Sequence, residues 1–408
     1  MDEGELGRPV TGALGRYTRD LTRDAREGRL EPVRCRDEEV ARVIDILLRH
    51  GKNNPALVGP AGVGKTAIAE ALAQRLAGGD VPLVLRTTRL LALDHVALLA
   101  GTAYRGQYEE RIRALVHETS ADPDVVLFVD ELHNLIGQGT AIGVAMDAAN
   151  MLKPSLVRGD FRVIGATTGE EYDRWICGDP ALERRFQRVL VRELSTEETL
   201  DVLRARLERL ERHHNVVIAE DAVRASVELT DVHMLDRRRP DRAIDVLDEA
   251  CAHTQAVTRY TARAEAMILR RRELLRQRPV RGRGSERPAE PPRRESGGSD
   301  DDGSLGSDGL ETFARDGLSA LQRFGAELES IFTATPVGAP DRVAPRPAPA
   351  PADVGQRPAP APPAAAPSLA VLEVELRSLL IEDGVVVRGL DVARVVALAT
   401  GHTVRWSE

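Results

Sequence analysis

An α/β domain with a central parallel sheet, a small all-helical domain and then a Pro/Ala/Gly-rich tail expected to be largely disordered make up the predicted fold. Three observations carry it. Short apolar or β-branched runs alternate with longer helical segments before Pro279. The runs are continuously apolar rather than alternating, as in a parallel sheet covered on both faces. Beyond them, 15 of the 24 prolines fall between Pro279 and Pro367, where two stretches lack apolar periodicity and read as linker.

Taken in order, the candidate strands are Ala56 to Val58, Leu83 to Leu85, Val125 to Val129, Arg162 to Gly165 and Arg188 to Val191. Helical segments follow from about Thr196 to His213, Asp221 to Leu229 and Pro240 to Val257. Ser195 with Glu198 three residues later has the spacing of a capping box, which fixes the start of the first of them. Within the tail, Leu310, Phe313, Leu318, Leu321, Phe324, Leu328 and Ile331 give one amphipathic helix an apolar stripe.

Composition excludes several classes. Fifty-six Lys and Arg against 64 Asp and Glu leave a formal charge of −8, which argues against a general nucleic-acid binder. Met1 to Glu5 has no positive region or apolar core of an export signal, and no run reaches the 18 apolar residues of a membrane span. Cys35, Cys177 and Cys251 are odd in number and form no CxxC, so no disulfide framework or zinc site is expected. A cytoplasmic protein fits these features. Arginine so outweighs lysine that only Lys52, Lys65 and Lys153 remain, and each retained lysine invites a question.

The strongest motif answers for one of them. Gly59, Pro60, Ala61, Gly62, Val63, Gly64, Lys65 and Thr66 fit GxxxxGK[ST], placed between a strand and a helix-like run that opens at Ala67. Glycines let successive backbone N–H groups face one anion, the helix N-terminus adds positive potential, and Lys65 adds a full charge near the β- and γ-phosphates. Thr66 would hold magnesium through its hydroxyl. Val125 to Val129 then delivers Asp130 and Glu131 at the strand's C-terminal end, where open α/β sheets bind ligands. Asp130 suits magnesium, and Glu131 suits a general base acting on water. ATP and Mg2+ are the cofactors implied.

With these come Lys52-Asn53-Asn54-Pro55, Leu98-Leu99-Ala100-Gly101-Thr102 with Tyr104-Arg105-Gly106, Leu132-His133, Gly165-Ala166-Thr167-Thr168 and Ala181-Leu182-Glu183-Arg184-Arg185-Phe186. From about Tyr17 to Ala252 the chain resembles the first ATPase module of the Clp/ClpB class of AAA+ unfoldases and disaggregases. The resemblance implies a homo-oligomer, an ATP-stabilised hexamer, acting on unfolded or aggregated polypeptide. It makes Thr167, or its neighbour Thr168, the sensor that positions water. Arg184 and Arg185 match the arginines that reach a neighbour's site, Val33 lies beside adenine, and Arg242 takes the place of a lid lysine facing the nucleotide. Tyr104 matches the aromatic lining the axial channel.

Departures temper the likeness. Ala103 stands where the family usually has lysine, Gln138 to Val144 lacks acidic character, and Val33-Arg34-Cys35-Arg36 replaces an apolar-Gly-Arg segment. No lysine follows Lys153, so a second phosphate loop is excluded within these residues. The expected units are a tail at 1–16, the large ATPase subdomain at 17–194, a helical lid at 195–258 and a helical extension at 259–280. A linker at 281–367 with its helix at 310–332 follows, then a helical segment at 368–408 that resembles the approach to a second module. Docking to a proteolytic chamber is not expected. An ATP-dependent assembly switch, with little threading activity, is the alternative to an unfoldase.

Overall fold

The computed structural model describes residues 10–101, 105–136, 145–277 and 369–407. The expected 310–332 helix, the linker around it, Gln138 to Val144 and Tyr104 lie outside the described residues.

Six strands form the main sheet in the order β1-β3-β4-β5-β2-β6. They are β1 Thr18–Asp20, β2 Asn54–Val58, β3 Arg89–Leu93, β4 Val125–Val129, β5 Arg162–Thr167 and β6 Phe186–Leu190. Only β1 runs antiparallel, pairing with β3 at one edge. Helices cover both faces, and β4 shows why its sequence is apolar throughout. Val125, Leu127 and Val129 enter one core while Val126 and Phe128 enter the other, as a period of two requires.

The first core is closed by α1 (Gly12–Tyr17), α5 (His95–Leu99), α6 (Arg105–Ala121), α7 (Leu132–Ile136) and α8 (Ala145–Arg158). The second lies under α2 (Leu21–Arg26), α3 (Asp37–Leu47) and α4 (Lys65–Gly78). Leu83–Leu85, expected as a strand, is instead a 3-10 turn after Pro82. Leu83 and Val84 are exposed and only Leu85 is buried, so the three residues cannot serve a sheet covered on both sides. The strand comes a few residues later, as β3.

Short elements α9 (Gly169–Glu171), a π-helical turn at Tyr172–Cys177 and α10 (Pro180–Glu183) lead from β5 to β6. The lid then begins with α11 (Thr196–His214), α12 (Glu220–His233), α13 (Asp241–Val257) and α14 (Ala262–Gln277). The capping box forms as the sequence indicates: Ser195 Oγ accepts from the Glu198 N–H at 3.2 Å, and Glu198 accepts from the Ser195 N–H at 2.8 Å.

The lid has one feature that its sequence does not signal. The C-terminal segment folds into it: helices Leu369–Glu382 and Gly389–Thr400 flank β8 (Val386–Val387), which pairs in parallel with β7 (Val217–Ile218). Leu376, Leu380, Val387, Val392 and Val396 join Leu203, Val223, Val246 and Leu247 in a single core. The stretch that resembled the approach to another module thus completes the lid of this one. All the described residues belong to one unit of the chain.

Candidate nucleotide site

Parallel strands end their carbonyl edge together, and three of those ends carry the predicted site. β5 lies between β4 and β2, with Val58 opposite Thr167 and Val129 opposite Gly165. The phosphate loop therefore leaves one side of Thr167, and Asp130 and Glu131 leave the other.

Two loop glycines have backbone conformations that L side chains rarely adopt, Gly62 at φ +78° and Gly64 at φ +91°. Gly64 is the N-cap of α4. Left-handed φ at these points turns the loop around its own centre and aims the first amides of α4 at that centre. A methyl group on Gly62 would also sit 3.0 Å from Asp241 Cβ, so the loop and lid meet there at close range.

Lys65 is buried, and its ammonium donates to the carbonyls of Gly59 and Pro60, each at 2.9 Å. Burial lowers its pKa, while Asp130, Glu131 and Glu171 oppose that by favouring the charge. Arg36, also buried, braces the loop from below by donating to the Val63 carbonyl at 2.5 Å and the Arg192 carbonyl at 3.0 Å, with Glu39 at 2.7 Å. Sequence reading treated Arg36 only as part of an altered segment; its bracing role depends on contacts 27 and 156 residues away. In that segment Cys35 holds φ +60°, a conformation that favours glycine.

Thr66 Oγ1 donates to Asp130 Oδ2 at 2.7 Å. A hydroxyl and a carboxylate oxygen brought together in this way are hard donors of the type magnesium prefers. His95 Nε2 lies 3.1 Å from the Asp130 carbonyl and donates to it; burial depresses the His95 pKa and favours the neutral ring. Sequence reading passed over His95, an isolated histidine with no motif around it.

Glu131 has φ +51°, a strained setting for a non-glycine residue and one that recurs at functional sites. It ends β4 abruptly, turns the chain into α7 and leaves its carboxylate half exposed. A cavity of about 470 Å³ joins these parts. Ala61 to Ala67, Asp130 and Glu131 line one part, while Val33, Arg34, Leu194 and Val202 line another. From the lid come Pro240, Asp241, Ile244 and Asp245. Gly59 and Pro60 touch the cavity indirectly, as the carbonyls that hold Lys65.

Other predicted residues stand apart from the cavity. Thr167 is buried, with its hydroxyl donating to Glu171 Oε2 at 3.1 Å. Thr168 caps α9. Arg242 is buried in the lid, paired with Asp231 and donating to the carbonyls of Arg237 and Met234 at 2.9 and 3.2 Å. Its neighbours Asp241 and Asp245 face the cavity instead. Arg184 is exposed and Arg185 half-buried beside Gly159; neither lines the cavity.

Residues 55–194 match the profile of the ATPase family associated with various cellular activities, AAA, and residues 195–285 that of the AAA lid domain. The chain carries an AAA domain and an AAA lid domain. This AAA module is 52% identical over 241 residues to the chaperone protein ClpB of Agrobacterium fabrum, a span covering 59% of this chain and 28% of that protein. To the chaperone protein ClpB of Gloeobacter violaceus it is 51% identical over 256 residues, 62% and 29% of the two chains. The matches therefore span less than a third of these relatives. Among solved structures, the S. cerevisiae Hsp104:casein complex in its extended conformation is 42% identical with a TM-score of 0.55, over 60% of this chain and 42% of that one. The S. cerevisiae Hsp104-ADP complex is 40% identical with a TM-score of 0.56, over 65% and 36%.

Proposed function

We propose that the chain binds ATP between the phosphate loop and the lid and hydrolyses it to ADP and phosphate. One observation carries the reading: Lys65, the Thr66–Asp130 pair and Glu131 converge on a single cavity walled by Val33 and the lid. Thr66 and Asp130 would hold magnesium, which when bound supplies charge neutralisation at the β- and γ-phosphates. The loop amides and Lys65 bind and orient the triphosphate. Glu131 takes a proton from water as the water oxygen bonds to the γ-phosphorus and the bond to the bridging oxygen breaks, its electron pair leaving with ADP.

Arg184 and Arg185, displaced from their own cavity, suit a role at the site of a second copy, where a guanidinium stabilises charge on the transferring group. That role needs a ring, and the likeness to ClpB and Hsp104 supports a hexamer that remodels polypeptide in the cytosol, with Tyr104 gripping the substrate. Thr167 acts as the sensor, its hydroxyl reaching the site through Glu171 rather than from the cavity wall. Arg242 serves the nucleotide indirectly, by fixing the turn that leads into α13, the helix that carries Asp241.

Phosphate release under conditions that favour assembly tests the reading. Wild type turns over, Lys65→Ala neither binds nor hydrolyses, and Glu131→Gln binds ATP but loses at least about 100-fold in rate. A wild type without turnover contradicts it.

A further inference from the structure

Beneath Glu131 lies a histidine that the reaction as described does not use. His133, on α7, is buried, and each of its ring nitrogens faces a carboxylate. Nε2 is 3.2 Å from Glu131 Oε2, and Nδ1 is 3.0 Å from Glu171 Oε2. Glu171 Oε2 also accepts from Thr167 Oγ1 at 3.1 Å, Thr168 Oγ1 at 2.8 Å and the Thr168 N–H at 3.1 Å.

We propose that His133 is a positioning residue, a doubly protonated ring that orients Glu131 and joins it to Thr167 through Glu171. The inference rests on Glu131 acting as the base. Its chemistry follows from counting protons. A neutral imidazole has one N–H and one lone pair, so it can donate to only one of two carboxylates. Three donors independent of the ring, the Thr168 N–H and hydroxyl and the Thr167 hydroxyl, converge on Glu171 Oε2 and favour its ionised form. Glu171 therefore offers no proton to Nδ1, and Nδ1–H must donate to it. A neutral ring would then turn the Nε2 lone pair against Glu131. Protonation converts that repulsion into a charge-assisted hydrogen bond.

With Oε2 held, Glu131 keeps Oε1 for water. The arrangement also explains how a buried Thr167 reaches the reaction: its hydroxyl shares an acceptor with the ring that holds the base. Other charged side chains described on the elements packed against α7 are Lys153 and Arg158 on α8, paired with Asp179 at 2.5 Å and Asp160 at 2.6 Å, Arg162 on β5, which donates to the Pro123 carbonyl at 2.6 Å, and Asp173 and Arg174 after α9, where Asp173 pairs with Arg188. Lys65 bears on the network from the loop, through its charge interaction with Glu131 and Glu171.

Two substitutions in the full chain separate the arms of the ring. His133→Asn keeps a donor near Nδ1 and deletes the arm toward Glu131; His133→Gln keeps a neutral donor near Nε2. The expected kcat of His133→Asn is about 10- to 100-fold below wild type with KM for ATP unchanged, the cost of a base left unoriented. His133→Gln, which restores a donor at the Glu131 arm, recovers most of the rate. Thermal melting and ATP binding check that each variant is folded; should His133→Asn unfold, His133→Ser, which also deletes the arm toward Glu131, takes its place. Wild-type kcat in the variant that lacks the arm toward Glu131, or a change in KM alone, would overturn the inference. Turnover in wild type separates that outcome from failure of the ATPase reading.

Discussion

Leu376→Ala offers a sharp test of how the lid is built. Leu376 is 1% exposed, and it enters the same core as Val223 of α12 and Val246 and Leu247 of α13. Truncating a fully buried leucine removes its transfer free energy and leaves a cavity, together about 2–5 kcal/mol. In a unit of this size that loss lowers the melting temperature by about 5–15 °C. Val374 is 68% exposed on the same helix, so Val374→Ala serves as the control and should stay within about 0.5 kcal/mol. Differential scanning calorimetry of the full chain reads both. Function follows, because α13 carries Asp241, Ile244 and Asp245 into the cavity wall, and a softened lid should weaken ATP binding in Leu376→Ala but not in Val374→Ala. Two variants that melt together would refute the argument that the C-terminal segment completes the lid core.

Other substitutions report on the site's supports. Hydrogen bonds from Arg192, aided by the Ser195 N–H and opposed by burial, hold the Glu198 carboxyl down at about 2, against an ordinary 4.5. A depressed carboxyl stabilises above its unfolded pKa, so this contribution is complete above about pH 4.5 and is lost as pH falls toward about 2. The full difference would be roughly 3 kcal/mol, but Arg192 is more than half exposed, and solvent screening reduces it to about 1–2 kcal/mol. Urea unfolding should therefore show Glu198→Gln less stable than wild type at pH 7 and the gap closing toward pH 3; a gap that widens in acid contradicts the assignment. Cys35→Gly relieves a left-handed φ at the foot of the phosphate loop and should raise stability by about 0.5–1 kcal/mol by the same measurement. A loss of stability there would mean that the thiol packs better than its backbone sits.

Where the sequence spoke through local chemistry, the structure agrees with it closely. The phosphate loop, β4 with its acidic pair, and the start of α11 each depend on residues within a few positions of one another. Leu83–Leu85 misled because three apolar residues satisfy a strand pattern without regard to what covers them. Its true counterpart, Arg89–Leu93, begins with a charged residue, Arg89, which pairs with Asp20 of β1 across the sheet edge. β1 itself, Thr-Arg-Asp, is three polar residues and carries no strand signal at all. β7 and β8 are two residues each and lie about 170 positions apart, beyond the reach of any pattern. Arg242 illustrates a further limit: position in a motif places a backbone, whereas Asp231 and Glu193, distant in sequence, decide where the guanidinium turns. His133 and His95 were silent for the same reason: Glu171 meets His133 only when β4 and β5 lie side by side, and Asp130 meets His95 only when β3 and β4 do.

The central claim is that the loop from Gly59 to Thr66 and the carboxylates after β4 form one ATP site. Isothermal titration of ATP with magnesium into wild type, Lys65→Ala and Glu131→Gln tests it most directly. The account predicts saturable binding to wild type and Glu131→Gln, and a loss of at least about 100-fold in affinity for Lys65→Ala, the removal of a buried, hydrogen-bonded charge partner of the phosphates. Equal binding by wild type and Lys65→Ala would contradict it.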